Sequence, residues 1–497
     1  MSRVLEAVTA HAMHRPDAVA LDAPGRSLTY AALTAAIARQ AALLHALGIE
    51  TLGLYADNGV DWVVTDLAAR RSACRLVPLP LFFSPTQIEH AIRDAGVEWV
   101  LAPANAAARL PFDFVESQPL DDVMSLYRPR AFAGPVRLPA GTQKITYTSG
   151  TTGDPKGVCL SLATMERVAQ SLGDATGADA QDRHLCALPL STLLENIGGV
   201  DAPLLAGATV CLRPLAAIGL DGASGIDPLR LLDALRSTQA TSAILVPQML
   251  HALCVAIERG AAAPTALRFV AVGGAPVSPT LLHRAAALGL PVYEGYGLSE
   301  CASVVALNRI GDSLAGSVGR PLPHITLQVS ADGEVRVAGN GFLGYVGQAP
   351  RAADAPVSTG DLGRLDADGR LVLTGRRKNL FVTAFGRNVS PEWVERELDL
   401  QPAIARAAVF GEARPWNAAV IVVRAPAAAA DVAAAIAAVN AGLPDYARVR
   451  RWIAADAPFT PDNQLATTNG RLCRERIWTQ YQTRIDSLYE EPVDELS

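Results

Sequence analysis

The densest chemical signal in the chain is Tyr147-Thr-Ser-Gly-Thr-Thr-Gly-Asp-Pro-Lys156-Gly157, in which three glycines and four hydroxyl residues surround one lysine. Glycine lets the backbone come close to an anion and present its N–H groups, hydroxyls add donors, and a lysine ammonium supplies a compact charge suited to phosphate. The pattern reads as a phosphate cradle, with an ordinary polar loop as the alternative. Pro155 rather than glycine precedes the lysine, so it is not the Walker A sequence of P-loop NTPases. Lysine is rare here: of 43 basic residues only Lys144, Lys156 and Lys378 are lysines, leaving 40 arginines. Because arginine and lysine are not interchangeable at a compact contact, each surviving lysine is a suspect.

Two further clusters have chemical potential. Tyr293-Glu-Gly-Tyr296-Gly297-Leu-Ser299-Glu300 follows an apolar run, and Gly273-Gly274-Ala275-Pro276 follows the one before it. A tyrosine offers a stacking face for a purine, small residues admit the ring, and a carboxylate such as Glu300 can hold Mg²⁺ against phosphates. Aromatic-glycine turns of this kind also occur for purely structural reasons. The third cluster is Ser358-Thr-Gly-Asp361 with Gly375-Arg376-Arg377-Lys378. An acceptor-only carboxylate at Asp361 suits the two hydroxyls of a ribose, and Arg376 adds donors; either alone also reads as a loop charge.

These residues need a scaffold that delivers strand ends to one place. From residue 1 to about 376, apolar runs alternate with amphipathic stretches, as in LTYAALTAAIARQAALLHALGI, TLGLYA, then WVVTDLAARRSACRLVPLPL, and again in DPLRLLDALRSTQ, ATSAILVPQ, PTALRFVAVGG and SPTLLHRAAALG. That alternation predicts parallel strands joined by crossover helices, with ligands at the carboxyl ends of the strands. KITYT reads as the strand before the phosphate loop, and VCLSLATMERVAQSL as a helix after it. Between about 316 and 375 short β runs with two Asp-Gly turn signals predict a β-rich subdomain. From 379 to 497, NLFVTAFGRNVSP, the helix EWVERELDL, the strands AAVFGE and AAVIVVRAP, and an alanine-rich surface helix read as a smaller α+β domain, ending in an acidic tail, DSLYEEPVDELS, expected to fray. The fold class is therefore α/β: a large N-terminal lobe of stacked, parallel-rich sheets with helices (1–376), residues 377–378 as hinge, and a small mobile C-terminal domain (379–497).

Composition narrows the partners. The 497 residues are 50% apolar and carry a net charge of −6, so no basic field recruits nucleic acid or anionic lipid. The N-terminal stretch has charges and no apolar h-region, and no uncharged apolar run reaches the roughly 18 residues of a membrane span, which places the protein in the cytoplasm. Seven cysteines without ligand spacing read as reduced, mostly buried thiols, and four histidines in apolar settings (184, 251, 283, 324) as structural. There is no GxSxG elbow, and no GxGxxG stretch that leads into a helical run as a dinucleotide fingerprint does.

YTSGTTGDPKG, YGLSE, STGD, GRRKN and FGRNVSP occur in the order and rough spacing of the adenylate-forming enzymes, so the chain resembles that family over nearly its whole length. The resemblance implies that a carboxylate is joined to AMP and the acyl group then passed to a thiol, with ATP, Mg²⁺ and coenzyme A (or the phosphopantetheine of a carrier) as cofactors. Carried over residue by residue, Thr148, Ser149, Gly150, Thr151, Thr152, Gly153 and Lys156 would hold the β and γ phosphates, and Glu300 would ligate Mg²⁺ with Thr148 beside it. Gly274, Ala275, Tyr296, Gly297 and Ser299 would frame the base, with Ser299 replacing the commoner threonine, and Asp361 and Arg376 would hold the ribose. Lys378 would be the hinge about which the small domain turns, and Gly386 would line the thiol's approach, where a missing side chain leaves room.

The main departure from the family is Arg471, in Thr467-Thr-Asn-Gly-Arg471, where the family places a lysine that bridges the substrate carboxylate and the α-phosphate. Arginine keeps the charge that stabilises the transition state, but its larger planar head can slow adenylation. The acetylation that silences relatives at that lysine has no target here. The segment matching the family's acid-binding stretch, 187–200, lacks the Phe-Asp pair of amino-acid-activating relatives; Leu190, Leu193, Leu194, Asn196, Ile197 and Gly295 would line an apolar pocket, with the leucines as plain core the alternative, and Glu195 and Asp201 find no assignment. The expected substrate is a fatty or aryl acid without an α-amine, with coenzyme A as acceptor. Alternatives are a separate acyl carrier protein, an amine or another nucleophile as acceptor, or, from Arg471 alone, a degenerate nucleotide-binding regulator. The sequence gives no oligomeric state.

Overall fold

The computed structural model describes residues 2–490 apart from 133, 135, 149–154, 222–224, 353 and 468–469. Its contacts divide the chain into two compact units. The first comprises Met1–Gly274, His283–Gln328 and Arg336–Ser358, and the second Ala275–Leu282, Val329–Val335 and Thr359–Ser497.

The first unit contains two large sheets. The eight-stranded sheet runs Gly344–Tyr345, Lys156–Ser161, Thr142–Thr148, Arg75–Pro78, Thr51–Leu54, Trp99–Pro103, Met124–Pro129, Phe114–Pro119. Its four middle strands, Thr142–Thr148 to Trp99–Pro103, are parallel, and apolar runs such as Leu52, Leu54, Leu76 and Val77 are fully buried, as strands covered on both faces must be. The nine-stranded sheet is parallel from Val292–Tyr296 through Phe269–Val272, Ser242–Leu245, Arg183–Leu185 and Thr209–Cys211 to Val19–Asp22, with antiparallel edges. Parallel pairs require crossovers, and the sequence supplies capped helices for them. Ser84 and Gln87 form a capping box on Pro85–Ala95, and the helix ends at Gly96 in the left-handed region.

One expected boundary moves. VCLSL does not open a helix: Lys156–Ser161 is a strand antiparallel to Thr142–Thr148, and the helix is Leu162–Thr176. Val158, Cys159 and Leu160 are an uninterrupted buried run, which suits a strand covered on both faces, and the Ser161 hydroxyl accepts from Thr164 N to cap the helix start.

In the second unit the hairpin Val357–Leu365/Leu371–Arg376 puts Asp361 opposite Arg376. The two Asp-Gly signals fall at turns, with Gly333 and Gly369 at φ 83° and 80°. A three-stranded sheet of Ile404–Phe410, Asn417–Val423 and Val449–Ala454 buries both faces. Ala407, Val409, Ala419 and Ile421 meet the helices Pro391–Leu398 and Ala429–Ala441, while Ala408, Ala418 and Val420 meet Ile477, Tyr481 and Ile485 of the helix Arg474–Glu490. That helix corrects the expected fraying as far as Glu490: Asp486 pairs with Arg414 at 2.5 Å and Tyr489 stacks on Trp416 at 4.2 Å. All seven cysteines are free thiols, six of them buried. Among the described residues no helix is long and apolar enough to cross a membrane.

Candidate active site

Ser149, Gly150, Thr151, Thr152 and Gly153, expected to form a phosphate loop, lie outside the described residues, but the strands on either side of them are defined. Thr148 ends one strand and Lys156 opens the next, paired in register, so the loop joins two adjacent antiparallel strands. Tyr147 is held by a 2.8 Å hydrogen bond from its hydroxyl to Asp94. Gly157 opposite must lack a side chain: a Cβ there would come 3.0 Å from the Tyr147 ring and 2.7 Å from Val346.

The sequence reading did not single out Tyr345, yet it links the two strongest candidates. Lys156 is exposed, with Nζ 5.8 Å from the centroid of the Tyr345 ring, a cation–π distance, and the Tyr345 hydroxyl donates to Glu300 Oε1 at 2.8 Å. Burial and the neighbouring Glu300 carboxylate raise the tyrosine's pKa well above its ordinary value, so it remains a neutral donor. Its position follows from the two-residue strand Gly344–Tyr345 on Lys156–Ser161, with Tyr345 opposite Val158. The only sequence cue was a short aromatic-glycine run, GFLGYVG, which carries no charge or ligand spacing.

Glu300 sits in the single turn Ser299–Cys301 that follows the strand Val292–Tyr296. Cys301 and Ala302 are fully buried and Phe342 N donates to the Glu300 carbonyl at 2.8 Å, which fixes the turn from both sides. Gly297 is required by a close approach, since a Cβ would lie 1.4 Å from the Ser303 carbonyl oxygen. Tyr296 is half-buried, whereas Tyr293 is stacked on Phe269 at 4.5 Å and belongs to the packing. Gly274, at φ 82°, follows the strand Phe269–Val272; Ala275 is the next residue and opens the second unit's first segment.

In the second unit Arg376 Nε donates to Asp361 Oδ1 at 2.8 Å, with the Asp361 side chain 8% exposed. Gly360, at φ 70°, and the Asp361 N–H bond to Thr359 Oγ1 at 3.0 Å shape the turn that carries this carboxylate. Lys378 follows two residues later. Burial lowers its pKa first, and the neighbouring Arg376 and Arg471 lower it further against Glu475. Arg471 is exposed on a tight turn in which Thr467 N donates to its carbonyl at 2.7 Å, and Arg406 holds the adjoining Gly470 carbonyl at 2.6 Å. Gly386 has φ 71°, and within its own unit a Cβ there meets nothing within 4 Å. Its left-handed conformation is by itself a reason for glycine at this position.

The expected acid pocket divides. Leu194 packs against the same core cluster that Tyr293, Tyr296 and Leu298 border, and against a second cluster as well. Leu190 is fully buried in another cluster, with Leu204, Val200 and the N-terminal helices, and Leu193 and Ile197 are buried in the core. The Asn196 amide donates to Asp66 Oδ2 at 3.2 Å and its carbonyl accepts from Lys144, so the side chain is engaged in a buried network. Gly295 sits within the strand Val292–Tyr296, where a Cβ would meet Leu307 at 2.9 Å. The two unassigned acids also find partners: Glu195 binds His184 at 3.0 Å, and Asp201 binds Arg70 at 3.0 Å.

The profile of the family described as AMP-binding enzyme matches residues 8–346, and that of the AMP-binding enzyme C-terminal domain matches 378–492. A long-chain-fatty-acid–CoA ligase of Mycobacterium bovis is 26% identical, covering 89% of this chain and 90% of its own. An indoleacetate–CoA ligase of Aromatoleum aromaticum is 28% identical over 85% and 88% of the two chains. Among solved structures, an anthranilate CoA ligase in complex with anthranoyl-AMP superposes with a TM-score of 0.80, covering 98% of each chain at 19% identity, and shares the fold. With an ammonium and a tyrosine from one sheet meeting a carboxylate from a turn that follows the other, and with family profiles spanning both parts of the sequence, the chain belongs to the AMP-binding enzymes.

Proposed function

We propose that this enzyme activates a carboxylic acid as its acyl-adenylate, releasing pyrophosphate from ATP, and then transfers the acyl group to the thiol of coenzyme A. The observation that carries the reading is the Lys156–Tyr345–Glu300 arrangement. A phosphate chain with its Mg²⁺ calls for a cation and a carboxylate close together, and one neutral phenol orients both here. In this reading Lys156, with Thr148 and the loop after it, holds the phosphate oxygens. Glu300 holds Mg²⁺ through its carboxylate, and bound Mg²⁺ supplies charge neutralisation at the phosphates. Gly274, Ala275, Tyr296, Gly297 and Ser299 frame the base. In the second unit Asp361, oriented by Arg376, accepts from the ribose hydroxyls, Arg471 offers its charge to the reacting phosphate, Lys378 serves as hinge and Gly386 lines the thiol's approach.

Family and relatives favour a fatty or aryl acid, because the fatty-acid and indoleacetate ligases both match over most of the chain. Leu194, Tyr293, Tyr296 and Leu298 border one core cluster, and their apolar surface offers a wall for such a tail or ring. The test is pyrophosphate release against a panel of fatty, aryl and amino acids, with and without coenzyme A. Acid-dependent release with acyl-CoA formation is the expected result. Release with no acyl-CoA formed would move the acceptor to a carrier protein or an amine, and the absence of release with every acid would falsify the proposal.

A further inference from the structure

The stretch after Leu188 changes helical type twice within fourteen residues. The short helix Leu193–Glu195 runs into a π-helical turn, Asn196–Asp201, and then into Ala202–Ala206. π-Turns recur at functional sites and need outside support, because their own hydrogen bonds are poorly placed. Here two buried polar clusters supply it. On one flank His184 bridges Ser242 Oγ at 2.9 Å and Glu195 Oε1 at 3.0 Å, while Glu195 Oε2 accepts from Leu188 N at 2.9 Å. On the other, Lys144 Nζ binds Asp66 Oδ1 at 2.6 Å and the Asn196 carbonyl, and Arg70 Nη2 binds both Asp66 Oδ2 at 2.5 Å and Asp201 Oδ1 at 3.0 Å. None of the four charged side chains exceeds 1% exposure, and their charges cancel.

Such a network adds little stability over a well-packed apolar set, since the desolvation of four charges offsets most of their attraction; what it specifies is register. We propose that Lys144 is a positioning residue for acid recognition, fixing the π-turn through Asn196 against the strand Thr142–Thr148. The inference rests on the reading of 187–200 as the acid-binding segment. The strand is a rigid reference, laddered on both sides by Arg75–Pro78 and Lys156–Ser161. The turn has no such ladder, so loosening the contact displaces the turn and leaves the strand in place. One compact ammonium reaches both the Asp66 and the Asn196 oxygens. A planar guanidinium does not reproduce that point contact, which gives a lysine a reason to survive in an arginine-rich chain.

The test uses the full-length enzyme and its Lys144→Met, Asn196→Ala and doubly substituted forms, measuring the KM for the acid and for ATP in pyrophosphate release, with melting temperature as a fold check. Asn196→Ala keeps all four charges and carries the test if Lys144→Met does not fold. The expected result is an acid KM raised about fivefold or more in each single variant, the equivalent of one hydrogen bond, with the ATP KM within about twofold of wild type. The double variant is expected to be no worse than the poorer single one, since the two residues act in series. An unchanged acid KM in Asn196→Ala, additive effects in the double variant, or parallel rises in both KM values overturn the proposal. If the wild-type enzyme shows no acid-dependent release, the functional reading has failed before any variant is made, and the inference falls with it.

Discussion

Lys144 and Lys156 stand on adjacent strands of one hairpin, and their surroundings are opposite. Lys144 is 1% exposed and closed in by Asp66, Asn196 and, at 5.8 Å, the Trp62 ring. Lys156 is exposed at the strand's start, over the Tyr345 ring, with Glu300 behind that tyrosine. Rarity marks both, and only Lys156 has a motif around it as well, yet rarity does not distinguish a buried tie from a ligand-facing charge. Burial does: a fully enclosed ammonium has its acceptors chosen by the fold, whereas an exposed one beside a loop can meet an anion.

That contrast can be broken experimentally. The largest effect is expected from Lys144→Met, which leaves the buried Asp66 and Asp201 with one cation between them. Removing one partner of a buried pair costs about 3–5 kcal/mol, read as a fall in denaturant midpoint, and a variant as stable as wild type would mean the pair is not desolvated. Lys156→Ala should show the reverse: stability within about 0.5 kcal/mol, but adenylation slowed on the order of 100-fold, as for the loss of one transition-state donor. If unfolding and rate fall together, the two lysines are not different in kind.

Tyr345→Phe sharpens the comparison on the exposed side. Losing the hydroxyl bond to Glu300 should slow adenylation roughly tenfold and raise the Mg²⁺ concentration needed for half-maximal rate, with wild-type Mg²⁺ dependence arguing against a metal role for Glu300. On the buried side the readout is pH. Burial pushes Asp201 up to about 6, against the pull of Arg70. A carboxyl whose folded pKa is raised contributes stability below its unfolded value, near 4, and loses it as pH rises through 6. Melting of Asp201→Asn relative to wild type should therefore shift in the variant's favour between pH 4 and 7, and a flat difference would mean Asp201 ionises like an ordinary carboxyl. The smallest effect is expected at Arg471→Lys, on an exposed turn: adenylation faster by a few-fold and acyl transfer from supplied acyl-adenylate unchanged. Loss of the transfer step alone would place Arg471 in the other half-reaction.

Much of the architecture was legible because it is repetitive. The alternation of buried runs and capped helices specifies parallel sheets wherever it recurs, and Asp-Gly turns mark their hairpins without help from distant residues. The error at VCLSL has a local cause: a short apolar run before a helix has no period of its own, and only its pairing with Thr142–Thr148 makes it a strand. Tyr345 escaped notice for a related reason, since a two-residue strand brings it to Lys156 from nearly 190 positions away in sequence.

The linear order of residues determined the family and singled out the candidate phosphate loop and the suspects Glu300, Asp361 and Lys156, because each motif's chemistry lies within a few consecutive positions. Folding alone decided the fate of Glu195 and Asp201, which had no assignable role in the chain. Their partners, His184 and Arg70, come from another strand and another helix, and a buried carboxylate takes its meaning from the donors that three-dimensional packing puts within 3 Å.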